Sequence, residues 1–329
     1  MRRLPLKLAA LLAAAILVSN ASVAAEPSRE ITRQKTLNVL FIGNSFTACH
    51  DLSRVVKAMA EAGDPDLCFD VTTVLYGGRR LVDHWRLGTA NFVRIMDLTA
   101  EEEQATIKSL EGMVAEDPTD KYAISALSRH RRLSESLEAS RKRWDYVVLQ
   151  SYRDDMEGDK SLYAEYAPKF AQLIKAQGGR VVLYETTPTT QNSKPLAAPP
   201  DPAPVIEKAR AIAALGRRTD AIVVPMSMVA LRCQTVRPDL PLRYLTDGHL
   251  NQTMGYLTAC TFYAALFDRS PEGLPIDTVN EARMKDGKPA PDPDGGPLKR
   301  TFSAKDRADL QRIAWEGLKQ FREVTAPAK

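Results

Sequence analysis

The chain of 329 residues has few cysteines and few histidines, four of each. Cys49, Cys68, Cys233 and Cys260 form no C-x-x-C pair, which argues against a zinc ribbon or a thioredoxin-like redox site. No three His, Cys or carboxylate positions fall at ligand spacing, so neither a metal nor a cofactor is expected. Charge of one sign is also scarce. The formal net charge is +4, and without Arg2, Arg3 and Lys7 it is about +1, so no electrostatic case for nucleic acid remains. The uncharged run from Leu8 to Val18 is short for a membrane span. There is no internal repeat.

That run has a different reading. Arg2, Arg3 and Lys7 precede it, and Ser22-Val23-Ala24-Ala25 offers small residues for cleavage, so residues 1–25 read as a secretory signal peptide. Export to the periplasm or beyond is expected, with no stable membrane insertion after cleavage. No cysteine sits at the cleavage point to carry a lipid. An exported compartment permits disulfides, although spacing does not choose among the four thiols.

What is present is an alternation of strands and helices. Leu37 and Val39–Ile42 make a nearly continuous apolar run, as in a strand buried on both faces. It stops at Gly43-Asn44-Ser45, residues of turns and helix starts, and a helical pattern follows from about Leu52 to Ala62. Asp70–Tyr76 is a second strand, ending in Gly77-Gly78. Asp145–Gln150 is a third, Arg180–Glu185 a fourth and Ala221–Met226 a fifth. Between them lie an amphipathic segment from Ser161 to Gln177, a Pro-rich loop from Thr186 to Pro204, and a helix from Val205 to Leu215. This order predicts a mostly parallel, doubly wound sheet of five strands. Residues 100–143 read as a charged helical insertion whose surface faces solvent. After Tyr244–Asn251 comes an apolar helix, Met254–Phe267, with Asn251 as its N-cap. Residues 271–298 read as irregular, and Ala304–Phe321 as a last amphipathic helix.

Strand ends thus present Ser45, Gly78 and Gln150 at one sheet edge, and a late loop presents Asp247 with His249. Acyl transfer asks for such a set. A serine hydroxyl needs an imidazole to take its proton, and a carboxylate can hold that imidazole in the right tautomer. A developing oxyanion needs preorganised donors. The blocks Gly43-Asn44-Ser45-Phe46-Thr47, Gly77-Gly78, Gln150 and Asp247-Gly248-His249-Leu250-Asn251, in that order, resemble the SGNH (GDSL-type) hydrolase family. The similarity is to its exported bacterial members and runs over residues 36–267.

The resemblance implies a flavodoxin-like α/β/α sandwich over residues 36–270, with residues 271–329 packed on the same domain. It also implies metal-free ester hydrolysis. Ser45 would be the nucleophile, His249 the base and Asp247 its orienter. The oxyanion hole would combine the backbone N–H groups of Ser45 and Gly78 with the Gln150 side chain. Asn44, Arg79 and His84 are candidates for substrate contact, His84 with packing as the rival role. His50 and His130 are expected at the surface.

Two departures from the family pattern stand out. Gln150 occupies a place where the family usually has Asn. Asp247 precedes His249 by two residues rather than three, a shortening that could turn the carboxylate away and leave a Ser–His dyad. The expected function is an exported serine esterase, removing an acyl group such as acetate from a carbohydrate. The alternatives are a non-catalytic glycan-binding protein of the same fold, or a lysophospholipase or thioesterase.

Overall fold

The computed structural model describes residues 35–151, 161–186, 191–282, 284–285 and 288–327. The expected signal peptide lies outside them. Residues from Gln34 onward form one compact unit. Its centre is a sheet of five parallel strands: β1 (Lys35–Gly43), β2 (Leu67–Leu75), β3 (Tyr146–Gln150), β4 (Arg180–Glu185) and β5 (Ile222–Pro225). Their order is β2-β1-β3-β4-β5, the flavodoxin-like doubly wound order.

The period of two in each strand divides the core into two layers. Val39, Phe41, Val148, Val182, Tyr184 and Val224 face one side, where α2 (Leu52–Gly63), α10 (Met226–Val236), α11 (Gln252–Phe267) and α12 (Ala304–Val324) pack. Leu40, Ile42, Val147, Leu149, Val181 and Leu183 face the other, under α8 (Leu162–Ala176) and α9 (Ala203–Thr219). The result is a three-layer α/β/α sandwich. Val39, Leu40, Phe41 and Ile42 have no exposed surface, and each contributes roughly 1.5–3 kcal/mol of burial. β1 is therefore the spine on which both layers assemble.

Several boundaries differ from expectation. β2 starts earlier, at Leu67, because Phe69 is wholly buried beneath α2 and extends the pairing with β1. β5 ends at Pro225, and Met226 opens α10, a helix the sequence pattern did not announce. Most of α10 is buried, so it lacks the polar face that marks a surface helix. The segment after α11 is not wholly irregular. It holds two small antiparallel ribbons, β6 (Thr278–Asn280) with β9 (Lys299–Thr301) and β7 (Met284–Lys285) with β8 (Lys288–Pro289).

Between β2 and β3 stand α3 (Leu81–Arg86), α4 (Thr89–Val93), α5 (Ala100–Glu116), α6 (Lys121–Glu135) and α7 (Leu137–Ser140). The α5–α6 pair is pinned to the domain by a buried polar knot. His130 Nδ1 lies 2.7 Å from Glu103 Oε1, His130 Nε2 donates to the Leu87 carbonyl at 3.1 Å, and Asn91 donates to Glu103 at 2.8 Å. His130 is thus buried rather than solvent-exposed, because the insertion turns its inner face onto Leu87 and Phe92.

Candidate active site

Ser45 follows β1 at the carboxyl edge of the sheet, between the ends of β2 and β3. α1 (Ser45–Ala48) begins there, with Asn44 as its N-cap. The buried Asn44 side chain works in two directions. Its Oδ1 accepts the Phe46 N–H at 3.0 Å, and its Nδ2 donates to the Arg79 carbonyl at 2.9 Å. One side chain thus ties the turn after β1 to the turn after β2. The Ser45 N–H is at the first helical position, where no intrahelical acceptor exists.

The second turn spans Tyr76–Arg79 and is closed by the Arg79 N–H donating to the Tyr76 carbonyl at 3.1 Å. Gly78 sits in it at φ +69°, as the third residue of a type II turn requires. A Cβ on Gly78 would meet no atom within 4 Å, so the space before it is open.

Gln150 closes the underside. Its Oε1 accepts the Asn44 N–H at 2.7 Å and the Thr47 hydroxyl at 3.1 Å, and its Nε2 donates to the Ser151 carbonyl. The two donors at Oε1 fix the amide's orientation. One of the two amide hydrogens is thus spent on Ser151 rather than on an oxyanion, and the side chain braces the Ser45 turn from below. Gly43 has no side chain because a Cβ there would stand 2.4 Å from Gln150 Oε1.

The expected substrate contacts sort differently. Asn44 has no exposed surface and acts as the brace described. His84 is also wholly buried, which corrects it to a packing residue. Its Nε2–H donates to the Gly43 carbonyl at 2.9 Å, and Nδ1 lies 3.1 Å from the Thr89 hydroxyl. Burial lowers its pKa from 6.5 to about 4 against the pull of the Gly43 bond, so the ring is neutral at pH 7. Arg79 stays half-buried, its guanidinium stacked over the Tyr122 ring at 4.3 Å.

The other half of the site is a hairpin tip. Arg243 and Leu250 bridge in antiparallel fashion, and the Tyr244 N–H donates to the His249 carbonyl at 3.1 Å. His249 Nε2 lies 2.8 Å from Ser45 Oγ, across 204 residues of chain. Its Nδ1 lies 2.5 Å from Asp247 Oδ1. The short Asp-x-His spacing does not turn the carboxylate away. Asp247 Oδ1 also accepts the His249 backbone N–H at 3.0 Å, an Asx turn that folds the acid back onto its own histidine. Phe46 packs against the imidazole, with ring centroids 5.4 Å apart.

Two supports of this tip were not legible in the sequence. His50, expected at the surface, is buried at the kink between α1 and α2 and adopts φ +61°. Its Nε2–H donates to the Leu250 carbonyl at 2.8 Å, and the ring fills the space over Gly255. From outside, Asp294 accepts the Leu245 N–H at 2.8 Å and the Thr246 N–H at 3.0 Å, while the Thr246 hydroxyl donates to the Pro293 carbonyl at 2.8 Å. Only the turn-forming composition around Asp294 was visible beforehand, and it names no partner.

No family model and no curated protein matches this chain. Among solved structures it is similar to a DUF4886 family protein from Bacteroides uniformis, at 15% identity and a TM-score of 0.50, covering 87% of this chain and 95% of that one. It is also similar to a candidate SGNH hydrolase from Slackia heliotrinireducens, at 16% identity and a TM-score of 0.42 over 70% and 100% of the two chains. A third likeness is to TesA, at 12% identity and a TM-score of 0.35 over 70% and 96%. The first likeness agrees with the three-layer fold, and the other two add nothing to it.

Proposed function

We propose that this chain is an exported serine ester hydrolase of the SGNH type that removes an acyl group, foremost acetyl, from a carbohydrate ester. The observation that carries the reading is the continuous contact Ser45–His249–Asp247 at 2.8 and 2.5 Å. Asp247 accepts Nδ1–H and so leaves Nε2 free to accept the Ser45 hydroxyl proton. Ser45 Oγ attacks the ester carbonyl while His249 takes its proton. The tetrahedral oxyanion forms before the N–H groups of Ser45 and Gly78. Collapse expels the alcohol, protonated by His249, and leaves acyl-Ser45. Water, deprotonated by His249, then releases the acid. A carbohydrate rather than a long lipid is favoured by the polar, Arg-bearing turn at Arg79-Arg80.

The test is hydrolysis of p-nitrophenyl acetate by the purified protein, with Ser45→Ala and His249→Ala alongside and a fluorophosphonate as trap. Turnover that falls to background in both variants, with the probe on Ser45, supports the reading. Activity that survives Ser45→Ala overturns it. A rate that grows with acyl-chain length would move the assignment to a thioesterase or lysophospholipase.

A further inference from the structure

Along the flank of the sheet, the insertion and the free edge of β2 line an open cleft of about 580 Å³ that runs from Trp144, before β3, up to Val74 near the end of β2. That size is usual for a ligand site. Its floor is apolar, formed by Val74, Phe92 and Leu133, and its wall carries Arg129 and Arg132. Among the described residues neither arginine has a carboxylate partner. Arg129 donates to the Thr73 carbonyl at 3.3 Å, and Arg132 to the Ser128 hydroxyl at 2.6 Å. Two further cations of the wall are already neutralised, Arg141 by Glu138 and Lys142 by Asp70.

The cleft leads toward the site. Tyr122 and Arg129 are seven residues apart on α6, two turns along one face and about 10.5 Å in rise. The Tyr122 hydroxyl donates to the Gly77 carbonyl at 2.7 Å, inside the turn that holds Gly78. Over the Tyr122 ring lies Arg79, whose Nε is buried without a hydrogen-bond partner. Arg79, Arg129 and Arg132 thus form a line of cations without acidic partners among the described residues, from the oxyanion turn along the seam between α6 and β2.

We infer that this seam binds an acidic polysaccharide, a chain bearing uronate carboxylates, and feeds its esterified sugar to Ser45. Arginine suits planar carboxylates through paired N–H donors, and spaced cations on an apolar floor suit sugar rings that carry one carboxylate each. A denser polyanion is disfavoured because Lys142 and Arg141 are already paired with Asp70 and Glu138, which leaves only spaced cations along the seam. The inference rests on the ester-hydrolase reading only for what happens at Ser45, and the seam's binding is measured apart from catalysis.

The experiment is calorimetric titration of Ser45→Ala protein with a galacturonate hexamer, a neutral maltohexaose and a single-stranded DNA hexamer at matched salt. The hexuronate is expected to bind at least tenfold tighter than either control, with affinity falling as salt rises. Arg132→Ala, on an exposed side chain whose loss spares the fold, should weaken it about fivefold to tenfold. The double variant with Arg129→Ala should abolish it while circular dichroism remains native. Equal binding of maltohexaose or of DNA, or an unchanged affinity in both variants, overturns the inference. Hexuronate binding without any hydrolysis by the wild type would leave the seam standing and remove the esterase reading. Hydrolysis of p-nitrophenyl acetate without hexuronate binding would do the reverse.

Discussion

The two halves of the candidate site are held in opposite ways. The nucleophile half is built inward: Asn44, Gln150 and His84 have no exposed surface, and each satisfies backbone groups of the Ser45 turn or the strand end before it. The acid–base half is built outward. Leu245 is 52% exposed, and Asp294 grips the loop tip from outside, while the buried His50 holds only its far end at Leu250. Buried polar braces cannot be removed without leaving their partners unsatisfied, so the first half couples chemistry to folding. Water can replace an exposed brace, so the second half can lose precision while the domain stays folded.

The sharpest way to expose that difference is Asp247→Asn. The amide cannot hold the tautomer that leaves Nε2 free. A fall in kcat of about 10³–10⁴ is expected, equivalent to about 4–5.5 kcal/mol of barrier, with the melting temperature nearly unchanged. A loss of less than tenfold would mean that His249 is oriented by its packing on Phe46 instead. On the opposite half, Gln150→Leu strands the buried Asn44 N–H and the Thr47 hydroxyl. Urea denaturation should show a loss of about 2–4 kcal/mol, with activity falling as the turn loosens. Retained stability would show that the Ser45 turn is held by its other contacts.

His84 puts the inward design under the control of pH. Its folded pKa of about 4 lies below the ordinary 6.5, so the unfolded chain binds more protons between those values and acid favours unfolding. The stability it helps to hold at pH 7 should shrink by about 2 kcal/mol at pH 5 and about 3 kcal/mol at pH 4. His84→Asn should be less stable at pH 7 but should lose that slope. A wild-type stability curve flat from pH 7 to 4.5 would contradict the burial of a neutral ring.

The contrast also explains what the sequence made legible. β1 and the Gly-Asn-Ser turn were readable because a strand buried on both faces is a continuous apolar run, and its end is marked by turn residues. Gly78 was readable for the same reason. α10 was not, since a helix covered on most sides has no amphipathic period. The polar interior was the harder part. Gln150 was recognisable as a polar strand end, but whether its amide faces substrate or backbone depends on the Asn44 N–H, a contact 106 residues away. His50 and His130 carry no local mark that distinguishes a buried tether from a surface imidazole. The reach of Asp247 to His249 turned on an Asx turn, which spacing alone does not reveal.

The smallest expected effect belongs to Asp294, and it tests the outward design most directly. Desolvation alone would raise its pKa, but the N–H groups of Leu245 and Thr246 and the Thr246 hydroxyl outweigh this and hold the carboxylate below its ordinary range. The ionised form is therefore the one that grips the loop from neutral pH down into the acid range. Asp294→Ala frees two exposed N–H groups to water, so little stability is at stake. The hairpin tip gains freedom, and the Ser45–His249 contact is populated less of the time. A twofold to fivefold fall in kcat is expected, with KM and melting temperature unchanged, because the residue touches neither substrate nor reacting atoms. Asp294→Asn, which keeps one acceptor, should recover part of the loss. If Asp294→Ala lowers stability as much as Gln150→Leu, the loop belongs to the folding core and the division between the two halves fails.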